Sequence, residues 1–273
     1  MESSICHRMN ADMASERTSQ RAFVGISASL FAISTALTVV WCESMSAMGG
    51  MRMPGGWTIS MAWMRMQTWA NATASFVGMW VAMMVTMMLP SFVPMLWRYR
   101  QAIGRARETP RGRLTTLVCL GYFFAWTLFG LAVFPVGVAA AAIEMEQPAL
   151  ARAVPITVGL VILIAGLVQF TSWKTHHLAR CRETPARGYT LPAGASIAWR
   201  QGLRFGLHCT LSCANLTTIL LVAGVMDLRA MALITAAITA ERLAPAGERV
   251  AQATGAAVIV AGLSIITRAT GLG

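Results

Sequence analysis

The chain has 273 residues, of which 56% are hydrophobic and 12% charged. Soluble domains carry about a quarter charged residues, and half that cannot cover a globule of this length; an ordinary soluble enzyme, a disordered chain and a short disulfide-stapled scaffold are excluded. Twenty-two Lys and Arg stand against 11 Asp and Glu, a formal net charge of +11, and the placement of that charge decides its meaning.

Residues 1–21 are polar and read as a cytoplasmic N-terminal segment. From Ala22 to Trp41 every residue is apolar or small. At about 1.5 Å per residue this run crosses the roughly 30 Å hydrocarbon core of a bilayer. It is too long for a signal-peptide core and reads as a retained span. A Gly- and Met-rich segment follows at 42–71, then apolar runs at 72–97, 114–143, 153–173 and 205–226. A shorter apolar stretch occupies 230–239, with Glu241 just after it, and a final run occupies 250–267. The expected fold is all-α: one polytopic transmembrane helical bundle over 22–268, with about seven spans, or six if the short segment does not cross.

The basic residues orient this bundle. With the N-terminus inside, 17 of the 22 Lys and Arg fall on cytoplasmic segments, chiefly 98–113 and 174–204, and five fall outside. That is the positive-inside asymmetry of membrane proteins. The charge is therefore topological, and no nucleic-acid partner is expected; the first partner is the lipid bilayer.

Methionine is concentrated: 13 of 19 lie between Met45 and Met95. Met45, Met48, Met51 and Met53 sit two or three residues apart in the outer segment, among glycines. Thioether is a soft, neutral donor that suits Cu(I), and flexible glycines let several sulfurs converge on one ion. On the second span Met79, Met83 and Met87 recur at four-residue steps and share a face, overlapped by Met84 and Met88. Pro90 and Pro94 follow and are expected to kink that helix. Packing by adaptable methionine is the plainer reading of both groups.

There are six cysteines, and Cys209 and Cys213 lie four apart on the fifth span. On a helix they are about 6 Å apart along the axis and about 40° around it, so both thiols face one way. Two thiols on one face are half of a soft-metal site, and His208 adjoins them. Gly202, Gly206, Cys209 and Cys213 also form a small-residue stripe of the kind that lines close helix contacts. His177 and Cys181 are one turn apart, but Lys174, Arg180 and Arg182 surround them and repel cations, so this stretch reads as a solvated cytoplasmic loop. Asp227 reads equally as a helix cap or a pathway charge.

Two stretches resemble a known family. The second span contains Trp80-x-x-Met83-x-x-Thr86-Met87-Met88-x-Pro90. The fifth begins Gly206-x-x-Cys209-x-x-x-Cys213 and continues through Gly224-Val-Met226-Asp227 to Glu241-Arg242-x-x-Pro245. Both are similar to the bacterial family of predicted metal-binding integral membrane proteins, a domain of unknown function. Its pattern is Trp-x-x-Met-x-x-Ala-Met-Met-x-Pro, Cys-x-Gly-Cys-Cys-Trp, Gly-x-Met-Asn and Glu-Lys-x-x-Pro, and the resemblance covers about residues 57 to 268. Here Thr86 replaces Ala, Leu211 Gly, Ser212 the middle Cys, Ala214 Trp, Asp227 Asn and Arg242 Lys. The resemblance implies a metal-binding protein of the bacterial inner membrane, crossing it several times.

No phosphate-binding glycine loop or nucleophile–base set is present, so no enzymatic activity is expected. The expected function is copper handling, as transport or delivery. Cu(I) would be captured at Met45, Met48, Met51 and Met53 and held through Met83, Met87, Met88, Cys209 and Cys213. A membrane or exterior metalloprotein would be the partner. The alternative is a non-catalytic assembly or accessory subunit in which Met and Cys only pack.

Overall fold

The computed structural model describes residues 2–47, 51–52, 58–59, 69–103, 111–146, 148–182, 194–225 and 227–271; at 2–16, 45–47, 51–52, 58–59, 144–145 and 148–152 it describes the backbone alone. The described residues form helices α1 (Glu2–Ala47), α2 (Trp69–Ala102), α3 (Arg111–Glu146), α4 (Pro148–Val168), α5 (Ser172–Arg182), α6 (Ala195–Ala223), α7 (Leu228–Leu243) and α8 (Gly247–Ala269). Between α1 and α2 lie two short strands, β1 (Met51–Arg52) and β2 (Thr58–Ile59), paired antiparallel with Met51 opposite Ile59.

Apart from that ribbon, the elements among the described residues are all helices. Among the described residues five helices are long and apolar enough to cross a membrane: Arg17–Ser44 within α1, α2, Arg111–Ile143 within α3, α6 and α8. α1 is helical from Glu2 onward, so the polar stretch at 1–21 and the first apolar run share one helix. The expected fourth span, 153–173, breaks after Val168; Ala153–Val168 and Ser172–Arg182 reach crossing length only together, bent by 64°. The expected sixth segment is α7, whose 16 residues cover about 24 Å, short of the roughly 30 Å core. The seven expected spans thus appear as five membrane-length helices, or six with the bent pair. The fifth begins ten residues earlier than its apolar run, since Arg200 and Arg204 are good helix formers and α6 continues back to Ala195.

Glycines set the helix spacing. A Cβ built on Gly206 would lie 2.7 Å from the Tyr122 carbonyl oxygen, and one on Gly202 would meet the Val118 carbonyl oxygen. The two contacts rise together in number, so α3 and α6 run parallel at close range. Between α4 and α8 the order reverses: Gly159 meets Gly262 and Gly166 meets Gly255, so that pair is antiparallel. Small residues at such crossings let backbones approach.

The core lies between α2, α3 and α6. Trp80 is fully buried and donates its indole N–H to the Trp126 carbonyl at 2.9 Å. Phe92 stacks on Tyr122 with ring centroids 4.0 Å apart. α2 continues through Pro90 and Pro94. Each proline removes one backbone donor, and next to the first of them the Ser91 hydroxyl donates to the Met88 carbonyl at 3.0 Å.

Candidate metal centre

Four helices converge at one depth. Ser91 on α2 lies about 17 Å from the C-terminal end of its helix, and Tyr122 on α3 about 17 Å from the N-terminal end of its own. Those two ends adjoin in sequence, so the residues share a level. Cys209, about 21 Å into α6, meets Tyr122 there. Arg242, in the last turn of α7, points into the same place.

Cys209 is the hub. Its Sγ lies 2.9 Å from Tyr122 Oη, 3.2 Å from Arg242 Nη1 and 4.0 Å from Met88 Sδ. The thiols of Cys181 on α5 and Cys213 one turn along α6 are buried near it, within reach of its charge. All three cysteines and Met88 are buried. The guanidinium of Arg242 also donates to Ser91 Oγ at 2.8 Å and reaches Tyr122 Oη at 3.3 Å.

A second layer of charge supports this hub. The Lys174 ammonium pairs with Glu241 Oε2 at 2.6 Å, both residues 1% exposed. Lys174 Nζ also donates to the Ser212 carbonyl at 2.7 Å, and Gln169 Nε2 donates to Glu241 Oε1 at 2.8 Å. Lys174 is the single lysine of the chain. Taking two charges out of water costs several kcal/mol each, so the pair stands only because Gln169 and the Ser212 carbonyl complete its hydrogen bonds. Ser212 Oγ, between the two helix positions that carry thiols, is buried with no hydrogen-bond partner among the described residues.

Of the residues singled out in the sequence, Met88, Cys209 and Cys213 meet here. Met83 and Met87 are buried on α2, Met83 about 7.5 Å along the axis from Met88. Of the outer group, Met48 and Met53 lie outside the described residues. Met45, in the last turn of α1, and Met51, in β1, are described in backbone only.

The stretch around His177 and Cys181 is not a solvated loop. α5 buries Lys174, His177, Leu178 and Cys181 against the bundle. Asp227 is a cap: its carboxylate accepts from the backbone N–H of Arg229 at 2.8 Å and of Ala230 at 3.2 Å. Cys181, Tyr122, Lys174 and Arg242 were the parts the sequence left unassigned. The one clue was the Glu241-Arg242 pair of the resembling motif, two charges at the end of an apolar stretch.

Among the described residues no three His, Cys, Asp or Glu side chains converge as a preformed metal cage. The donor set is instead the Cys209 thiol with the Met88 thioether 4.0 Å away and the thiols of Cys181 and Cys213 nearby. It is soft throughout, and it suits a low-coordinate soft cation over a hard one.

A family model described as a copper chaperone, PpoB2, matches residues 77–265, more than half of the chain. The match takes in every residue of the centre. No curated protein matches the chain, and no solved structure does.

Proposed function

The chain belongs to the PpoB2 copper chaperone family, and from that premise we propose that it holds Cu(I) as cargo at Cys209, with Cys181, Cys213 and Met88 as the neighbouring soft donors, inside a multi-pass protein of the bacterial inner membrane. The protein receives the ion and passes it to a metalloprotein; it is not an enzyme.

The observation that carries this reading is Arg242 beside Cys209. Lys174 and Glu241 cancel each other, which leaves one buried guanidinium without a carboxylate partner among the described residues. A bare cation near it would be repelled. Cu(I) bound by two thiolates carries a net charge of −1, and that complex is what a single guanidinium neutralises. In a medium of low dielectric such compensation weighs heavily. The thiolates form as the metal enters, with loss of their protons.

Membrane insertion is supported by what the bundle leaves exposed. Val24, Ile26, Ile33, Leu37 and Val40 on α1, and Val260 and Leu263 on α8, are turned outward. Apolar surface of that extent needs a lipid or protein cover.

The test is the copper content of full-length protein purified in detergent after growth with copper. The wild type is expected to retain copper, and Cys209→Ser/Cys213→Ser to lose most of it while inserting normally. Equal copper in both would return the cysteines to a packing role.

A further inference from the structure

Next to the thiols is a pair of imidazoles. His177 on α5 and His208 on α6 face each other with Nδ1 atoms 3.2 Å apart. Trp173 packs against His177, with ring centroids 4.4 Å apart, and fixes one face of the ring. His177 is 8% exposed, and His208 is partly exposed. Each histidine is tied in sequence to a thiol of the centre. His177 lies one turn before Cys181, and His208 immediately precedes Cys209. The α5–α6 seam therefore carries the imidazole pair, with Cys181 one turn further along α5 and Cys209 next in sequence on α6.

We propose that His177 and His208 form a second Cu(I) station, through which the ion enters or leaves the thiol centre. This rests on the copper reading above. Imidazole nitrogen is a competent donor for copper. Metal–nitrogen bonds near 2.0–2.1 Å place two nitrogens on opposite sides of an ion about 4 Å apart. The seam must open by about 1 Å from the observed 3.2 Å separation.

The protons balance. One Nδ1 now donates to the other. When Cu(I) takes both Nδ1 lone pairs, the donor's proton moves to its own Nε2, so both rings stay neutral. No redox step and no net proton loss is required. The ion then moves by ligand exchange, one imidazole replaced by one thiolate at a time. Soft thiolates hold it more firmly than imidazoles, so the imidazole pair is the exchangeable rung and the thiol cluster the holding one.

The experiment uses the full-length protein in detergent, titrated anaerobically with Cu(I) and followed by X-ray absorption at the copper edge. The first equivalent is expected to show sulfur ligation and further loading to add a two-nitrogen component. His177→Ala/His208→Ala should bind one fewer Cu(I), without the nitrogen component and with the sulfur component unchanged. The conservative variant His208→Gln should behave the same way if the double variant fails to fold. A wild-type spectrum that stays free of nitrogen at saturation overturns the second station while leaving the thiol centre intact. Missing sulfur ligation at the first equivalent overturns the thiol reading instead.

Discussion

Arg242 carries its charge to a thiol, a phenol and a hydroxyl at once, and its role separates a metal centre from a packed core. If it balances a copper–dithiolate complex, Arg242→Gln should weaken Cu(I) binding about 10- to 100-fold, the range for residues that support metal ligands. Arg242→Lys keeps the charge, and Lys is the residue in the resembling family pattern, so it should keep most of the affinity. Competition with a chromophoric Cu(I) chelator reads both. Equal affinities for Gln and wild type would remove the charge argument. Met88→Leu keeps bulk and loses the thioether 4.0 Å from Cys209 Sγ; it should weaken Cu(I) and leave thermal stability unchanged to within about 1.5 kcal/mol, as volume-conserving swaps do. At this scale the sequence pointed to Cys209, Cys213 and Met88, because periodicity on a single helix puts soft donors on one face. It turned away from Cys181 and could not point to Tyr122, both of which lie on other helices. Lys174 and Arg180 beside Cys181 looked repulsive because nothing in the local sequence shows that Glu241, 67 positions after Lys174, neutralises the lysine.

The helices hold these groups by close approach and by one buried ion pair, and each device predicts a cost. A Cβ on Gly206 of α6 would run into the Tyr122 backbone of α3. Gly206→Val would push the helices apart at the level where Tyr122 and Cys209 meet. Overpacking of this kind costs about 1–3 kcal/mol, and both melting temperature and copper binding should fall together. Glu241→Gln leaves the Lys174 ammonium buried without its carboxylate, a loss of roughly 3–5 kcal/mol. Pairing it with Lys174→Met removes both charges and should recover much of that stability in a thermal melt. Recovery that fails would mean Glu241 acts on something other than Lys174. The long apolar runs were legible as helices because their length alone forces the assignment. α5 was not, since it is short and polar. Its burial comes from the bend after Val168 and from partners on α6 and α7. α7 was legible as a short apolar stretch, but the reason for its charged end lies on other helices: Ser91, Tyr122 and Cys209.

The path of the whole chain follows from how the helices pair. α3 and α6 run parallel, so the chain returns between them, and α4 with the bent α5, which reach crossing length only together, lies on that return. Because α3 and α6 run parallel, their N-terminal ends lie on one side of the bundle, and we propose that the basic residues of 98–113 and 174–204 make that side the cytoplasmic one. Reporter fusions at Glu108 and Gly188, both outside the described residues, should report the cytoplasm; an exterior result for either would break the path. The outer methionines then belong to the opposite side, and replacing Met45, Met48, Met51 and Met53 with Leu should lower copper uptake at limiting supply while expression holds. Unchanged uptake would remove that segment as the entry point.

The central claim is that Cys209 and its sulfur neighbours hold Cu(I) within this bundle. It is tested most directly by loading detergent-purified full-length protein with one equivalent of Cu(I) and reading the first shell by X-ray absorption at the copper edge. The account predicts a shell of sulfur atoms that is lost in Cys209→Ser. A shell of oxygen or nitrogen alone, or a sulfur shell indifferent to Cys209→Ser, would contradict it.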